Sequence, residues 1–356
     1  MGLATLSVDH LRCLEHASLE LHPGHNLVWG SNASGKTSLL EAIFLLGRGR
    51  SFRTRNSERL VRHDQDRLIV VGRTHEALPQ TLGVQISRSE GTIAKVNGAF
   101  VQSLAMLSCA FAVQVIEPGI HRLVEEGGYR RRRWMDWAVF HVEPSFVDTW
   151  VSYTRTLKQR NAALRTQPTL ATVWDQELTR LGDAISASRE SLIGRLQPYW
   201  AESTASLLGV DIELNYVRGW AQGISLAEAL VASYDRDVRR GVTHVGPHRA
   251  DVLIRADGKP ARDILSRGQQ KLVAIAMTLA QLRLIHAVTG ARPTLLLDDP
   301  AAELDRTRLT RFSEQVTALD CQVVVTALSA DVSPLGTPDR VFHVERGRIQ
   351  PYNATP

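Results

Sequence analysis

One stretch near the N-terminus, Trp29-Gly30-Ser31-Asn32-Ala33-Ser34-Gly35-Lys36-Thr37-Ser38-Leu39-Leu40, constrains the fold of this chain more than any other. Gly30, Gly35, Lys36 and Thr37 satisfy G-x-x-x-x-G-K-[ST], the pattern in which glycines let the backbone wrap a polyphosphate with its N–H groups turned inward. Lys36 then reaches the β- and γ-phosphates, the Thr37 hydroxyl ligates Mg²⁺, and the helix that follows offers its positive end. Asn26, Leu27, Val28 and Trp29 read as a short buried strand before the loop, and residues 38–46 hold a helix former at nearly every position. Strand, loop and helix in that order make residues 30–37 a binding loop for ATP with Mg²⁺; the alternative is a chance Gly/Ser-rich turn.

At 356 residues the chain exceeds one modest core, so two domains, or one domain with a large insertion, are expected. Lys plus Arg exceed Asp plus Glu by 42 to 37, which permits nucleic-acid contact without requiring it. Cys13, Cys109 and Cys321 are far apart, with no C-x-x-C spacing, and read as reduced core residues rather than a disulfide frame or zinc site. Charged residues come too early for a signal peptide, and no apolar run approaches a membrane span, so a soluble, cytoplasmic protein without a membrane partner is expected.

Along the chain, residues 5–21 suggest two strands joined through residues 10–17, and Pro23-Gly24 turns the chain into the strand before the loop. Arg50, Arg53 and Arg55 crowd the segment after the first helix, and residues 68–72, 82–86 and 92–98 read as an antiparallel meander. From Glu117 to Asp237 the composition turns helical, with Arg130-Arg131-Arg132-Arg133 at its head and breaks at Pro168 and Pro198. The last third returns to α/β. The expected organisation is an ATPase domain in two parts, 1–116 and 238–356, split by an inserted α-helical domain at 117–237.

Thr294-Leu295-Leu296-Leu297-Asp298-Asp299 is a buried strand ending in two carboxylates; the first suits the Mg²⁺ shell and the second the attacking water, unless both are solvated turn residues. Leu265-Ser266-Arg267-Gly268-Gln269-Gln270-Lys271 opens a helix whose residues Leu272, Ile275, Ala276, Leu279 and Leu282 share one face. Ser266 and Gly268 there form a second anion site, from hydroxyl, N–H and helix dipole. One triphosphate already has its loop. A second phosphate sensor makes sense on the nucleotide of another copy, which implies a head-to-tail dimer formed on ATP.

In this combination the chain resembles the ABC-type ATPases of the SMC group, and within them the RecF family of bacterial recombination mediators. The resemblance rests on residues 30–37, Gly49-Arg50-Ser51-Phe52-Arg53-Thr54, Arg131-Arg132 with Trp134-Met135-Asp136, and Gly246-Pro247-His248-Arg249 with Asp251. It continues through Leu265-Ser266 with Gly268-Gln269, and Asp298-Asp299 with Glu303-Leu304-Asp305. Two positions depart from the family pattern: Gly127-Gly128 stands where Gly-Pro is usual, and Ala302 where Ser is usual. The fold implied is an ABC/SMC-type P-loop ATPase head with an antiparallel β layer and an inserted helical domain.

The resemblance also implies roles. Lys36 and Thr37 would hold phosphate and Mg²⁺, Asp298 the Mg²⁺ shell, Asp299 the water, and Ser266 and Gly268 the partner copy's γ-phosphate. Gln114 would sense Mg²⁺ and water, or else is a polar residue on an exposed strand face. Thr326 occupies the usual place of a histidine switch, or is a strand-end Thr with a satisfied hydroxyl. Arg50, Arg53 and Arg55 would bind DNA phosphates or the nucleotide's own charge, and Arg131 and Arg132, within Arg130 to Arg133, would line a DNA-facing surface, or these are solvated or internally paired side chains. The implied activity is a weak, DNA-stimulated ATPase of DNA repair and replication that binds single-strand/double-strand junctions and works with RecO and RecR to load RecA. Rival readings are a transporter ATPase subunit and a non-hydrolysing ATP-dependent scaffold.

Overall fold

The computed structural model describes residues 2–302, 304–331 and 333–352, so Glu303 of the Glu-Leu-Asp segment lies outside them. The chain divides into two compact units, Met1–Ile120 with Leu282–Pro356, and His121–Gln281.

The first unit holds two six-stranded sheets. In one, the parallel strands Val113–Ile116, Thr294–Leu297, Gln322–Ala327, His25–Trp29 and Arg340–Glu345 lie side by side, and Arg348–Pro351 closes the edge antiparallel. Its central members, Thr294–Leu297 and Gln322–Ala327, are buried throughout, which is why they read as unbroken apolar runs rather than alternating ones. The other sheet is the antiparallel layer, ordered Leu14–Glu20, Leu3–Leu11, Arg67–Thr74, Thr81–Ser87, Gly91–Val96 and Ala99–Phe100. The Lys36–Arg48 helix shares one apolar core with both sheets and is buried on all sides, Thr37 excepted.

The first two strands are longer than expected: only Arg12 and Cys13 separate them, because Asp9 and His16 pair across the hairpin and extend it. Cys13 lies exposed at that turn, contrary to the expected core position, whereas Cys321 is buried, and none of the three is in a disulfide.

The second unit carries the helices Gly128–Val142, Phe146–Thr166, Asp175–Leu207 and Leu226–Arg240. It also holds a small antiparallel sheet of Ile212–Val217, Asp251–Ala256 and Lys259–Pro260. Two expectations change here. Ile212–Val217 is a strand inside the stretch read as helical, with Ile212 and Leu214 buried and Glu213 and Asn215 exposed, a period-two pattern too short to stand out among helices. Pro198 does not break its helix, which runs through it to Leu207. A proline there removes one backbone hydrogen bond at about 3 kcal/mol. The neighbours hold the helix down: Leu196 and Trp200 are buried, Trp200 Nε1 donates to Ile212 O (2.6 Å), and Gln197 Nε2 donates to Leu214 O (2.8 Å).

The Arg267–Thr289 helix is buried not on one face but nearly all round from Leu272 to Ala280. Its mean hydropathy reaches 1.6 over eighteen residues, which corrects the expectation that no apolar run matches a membrane span; 72% of that window is buried inside the protein, as in a core helix.

Candidate nucleotide site

The phosphate loop leaves the His25–Trp29 strand at the carboxyl edge of the parallel sheet, the edge where α/β folds bind ligands. Gly30 is required there: with φ 158°, a Cβ would lie 2.2 Å from the Val344 carbonyl oxygen. The far side of the loop is braced by the closing hairpin, whose Gly347 N–H donates to Ser34 O (2.8 Å). Gly347 must also be glycine, with φ 78° and a Cβ that would sit 2.1 Å from Cys13 O. Ser31, Asn32 and Ala33 form the exposed rim of the loop, and Gly35 leads into the helix.

Inside the loop, Lys36 Nζ donates to Gly30 O (2.7 Å) and Ser31 O (2.9 Å). Burial lowers the ammonium's pKa, and the nearby charges of Asp299 and Asp298 oppose that shift. Thr37 Oγ1 donates to the Asp298 carboxylate, 2.9 and 3.1 Å from its two oxygens. Burial raises the Asp298 pKa, while hydrogen bonds from Thr37 and Thr326 and the charge of Arg53 pull it down. Thr326 is a satisfied strand-end hydroxyl: it accepts from Asp299 N (2.9 Å) and has Asp298 Oδ1 (3.2 Å) and Leu297 O (3.4 Å) within reach as acceptors.

These residues fit a magnesium-bound nucleotide. Among the described residues Ser34 Oγ is buried without a hydrogen-bond partner, and Gly30 keeps open a cradle that a Cβ would fill. Thr37 and Asp298 bring together hard oxygen donors of the kind Mg²⁺ takes, with the charge of Asp299 acting on Asp298.

Gln114 is placed elsewhere. It is buried rather than on an exposed strand face, and its carboxamide oxygen accepts from Arg48 Nη2 (3.1 Å). Arg48 is in the last turn of the Lys36–Arg48 helix, roughly 16 Å along the axis from Thr37 at ~1.5 Å per residue. Gln114 is also in register with Leu295, three residues short of Asp298. Glu117, missed in the sequence reading, follows the strand residue whose carbonyl accepts from Asp298 N (2.9 Å).

Sequence reasoning also missed Glu41. Fully buried in the Lys36–Arg48 helix, it accepts from Ser51 Oγ and pairs with Arg12 and, at 3.6 Å, with Arg53. Ser51 Oγ in turn accepts from Arg53 N (2.9 Å) and Thr54 N (3.1 Å). The Gly-Arg-Ser-Phe-Arg-Thr segment is thus a turn pinned to the helix of the phosphate loop, with Arg53 near Asp298 and Arg50 and Arg55 flanking it. A lone carboxylate in an apolar helical run was the available signal.

In the second unit, Ser266 and Gln269 form a reciprocal cap at the start of the Arg267–Thr289 helix: Gln269 N donates to Ser266 Oγ (3.3 Å) and Ser266 N to Gln269 Oε1 (2.9 Å). Ser266 and Gly268 are exposed at that end. Arg131 is buried and held by both oxygens of Asp251 (2.8 and 2.9 Å) and by the carbonyls of Leu123, Val124 and Glu126. Arg132 donates to Ala250 O (2.6 Å). Gly128 makes room for this cluster, since a Cβ there would lie 2.7 Å from Asp251 Cγ.

The sequence matches the family profile described as the RecF/RecN/SMC N terminal domain over residues 2–350. It is 39% identical to the DNA replication and repair protein RecF of Cellvibrio japonicus (strain Ueda107), and 38% identical to that of Vibrio atlanticus (strain LGP32). Each match covers 98% of this chain and 99% of the relative. Among solved structures, the recombination mediator protein RecF-ATP of the RecFOR pathway superposes with a TM-score of 0.88 at 27% identity, covering 99% of this chain and 98% of the other. An SMC head bound to the C-terminal winged helix of ScpA superposes at 0.58 with 14% identity, over 99% and 97% of the two chains, a likeness of fold alone. Full-length similarity at this level, on a chain whose phosphate loop and strand-end carboxylate meet as described, shows that it belongs to the RecF family of SMC-type ATPases.

Proposed function

We propose that this protein is an ATP-dependent DNA-binding protein of recombinational repair and replication-fork maintenance, acting in the cytoplasm. It binds ATP with Mg²⁺, dimerises on it, engages DNA at single-strand/double-strand junctions of gaps, and helps RecO and RecR partners load RecA. Slow, DNA-stimulated hydrolysis of ATP to ADP and phosphate resets it. The observation that carries this reading is the contact of Thr37 with Asp298 beside a lysine already coiled into its loop. The names of the similar proteins, a DNA replication and repair protein and a recombination mediator of the RecFOR pathway, support the repair role and the choice of partners.

When bound, Mg²⁺ would neutralise phosphate charge and polarise the γ-phosphoryl group. Lys36 exchanges its two carbonyl partners for phosphate oxygens, and Thr37 with Asp298 holds the metal side of the nucleotide. Asp299, placed by its N–H on Thr326, orients the attacking water. Arg53 adds positive charge over the same edge. Ser266 and Gly268, at an exposed helix start, serve the nucleotide of a second copy.

Equilibrium titration with a fluorescent ATP analogue tests the site. Lys36→Ala removes charge-assisted hydrogen bonds worth about 1.5–3 kcal/mol, so affinity drops roughly 10- to 150-fold. Unchanged affinity would mean that the nucleotide binds elsewhere. Gapped, duplex and single-stranded DNA, each with and without ATP, test the nucleic-acid half of the reading; preference for the gapped substrate with ATP is expected, and equal binding to all three contradicts it.

A further inference from the structure

One surface of the second unit gathers far more positive than negative charge. On the Phe146–Thr166 helix, Arg155, Lys158 and Arg165 are exposed. Spacings of three and seven residues keep them on one side of the helix over about 15 Å of its length. No Asp or Glu occurs from Val151 to Thr166, so the stripe lacks the acids at three- and four-residue spacing that lace an ordinary solvated helix face.

Two contacts join further charges to the stripe. Arg165 Nη1 donates to Gly241 O (3.1 Å), the residue that ends the Leu226–Arg240 helix, and so lies beside the exposed Arg239 and Arg240. Asn161, one turn from both Lys158 and Arg165, accepts from Thr243 N (2.8 Å) and Thr243 Oγ1 (2.7 Å). The Thr243 carbonyl then accepts from the exposed Arg249 of the Gly-Pro-His-Arg turn (3.4 Å).

The nearby carboxylates are spent inward. Asp175 and Asp237 take Arg160 at 2.6 and 2.8 Å, Asp237 also takes His244, and Asp251 takes Arg131. Among the described residues none of Arg155, Lys158, Arg165, Arg239, Arg240 and Arg249 has an ion-pair partner, although Asp235 is exposed on the second helix.

We propose that this face of the helical unit binds the phosphate backbone of duplex DNA, through Arg155, Lys158 and Arg165 with Arg239, Arg240 and Arg249. The inference rests on the DNA-binding reading above and gives that reading a location. Charge complementarity selects the occupant: a stripe of ~15 Å matches about four phosphates of one strand at ~3.4 Å each. It differs from the place the sequence suggested, since Arg131 is buried on Asp251. The Gly-Pro-His-Arg turn thereby acquires a role beyond packing, with His248 locked inward between Tyr153 and Thr243 O while Arg249 faces out.

The test compares wild type with Arg155→Ala/Lys158→Ala, with Arg239→Ala/Arg240→Ala, and with the quadruple variant. A charge-matched control, Arg306→Ala/Arg311→Ala, lies on the first unit. Affinity for gapped duplex DNA with a non-hydrolysable ATP analogue is measured from 50 to 200 mM salt, alongside nucleotide affinity. Each lost contact lowers the log–log salt slope by about 0.9, so the quadruple variant loses up to about 3.6 and binds at least about tenfold more weakly, with ATP affinity unchanged. A wild type that binds DNA, with variants of the same affinity and slope, overturns the surface but leaves the DNA reading standing. Equal losses in the control overturn it too, as does weaker binding at unchanged slope. A wild type that binds no DNA overturns both.

Discussion

Replacing Glu41 tests whether the phosphate loop's helix and the Gly-Arg-Ser-Phe-Arg-Thr turn form one unit. Glu41 is fully buried and takes Arg12 through both oxygens, Ser51 Oγ through one, and Arg53 at 3.6 Å. The Arg53 pair adds little, because that side chain is 48% exposed and screened. The Arg12 side chain is 25% exposed, so Glu41→Ala strands a mostly buried guanidinium at the lower part of the range for a broken buried pair, about 3 kcal/mol. The Ser51 hydrogen bond to a charged acceptor contributes about another 1.5 kcal/mol. The sum of roughly 4.5 kcal/mol should appear as a roughly two-thousandfold loss of amide-exchange protection in the Lys36–Arg48 helix, read by mass spectrometry. Adding Arg12→Ala recovers part of that loss, since the double variant buries no uncompensated charge. A fall below tenfold, or a double variant worse than the sum of the singles, refutes the reasoning.

Other outcomes follow from the same geometry. Asp136→Ala strips both carboxylate oxygens from the buried Arg189 (2.7 and 2.9 Å), so the denaturation midpoint of the second unit should fall by about 3–5 kcal/mol equivalent. Pro198→Ala returns a backbone donor to the Asp175–Leu207 helix and should stabilise it by about 1–3 kcal/mol in urea unfolding; destabilisation would show that the proline sets a needed bend. His248 is held by burial at a pKa of about 4, below its ordinary 6.5. Since the folded value is the lower one, stability is complete above pH 6.5 and falls by up to ~1.4 kcal/mol per pH unit down to about 4. His248→Asn should flatten that slope in pH-dependent unfolding.

Much of the first unit was legible because its signals are local. A strand, a glycine-bearing loop and a helix stand consecutively around Lys36, and the strand ending at Asp298 is an unbroken apolar run. What could not be read depends on distant parts of the chain. That Gly347 braces Ser34, that Glu41 receives Arg12 and Ser51, and that Gln114 lies three residues short of Asp298 are matters of sheet order and register. Within the second unit, the propensity of the surrounding helices concealed the six-residue Ile212–Val217 strand, and a packing face stronger than the lost hydrogen bond carried a helix through Pro198. Arginine clusters are ambiguous for a similar reason: burial divides Arg131 from Arg249, and a run of basic letters carries no record of burial.

The central claim is that the loop from Gly30 to Thr37 holds half a site, which the Ser266–Gly268 helix start of a second copy completes. Sedimentation of wild type, Lys36→Ala and Ser266→Arg with and without a non-hydrolysable ATP analogue tests it most directly. The account expects an ATP-dependent dimer for wild type only, with Ser266→Arg binding nucleotide as a monomer and Lys36→Ala failing to bind. A Ser266→Arg protein that dimerises like wild type, or a wild type that stays monomeric with nucleotide bound, contradicts it.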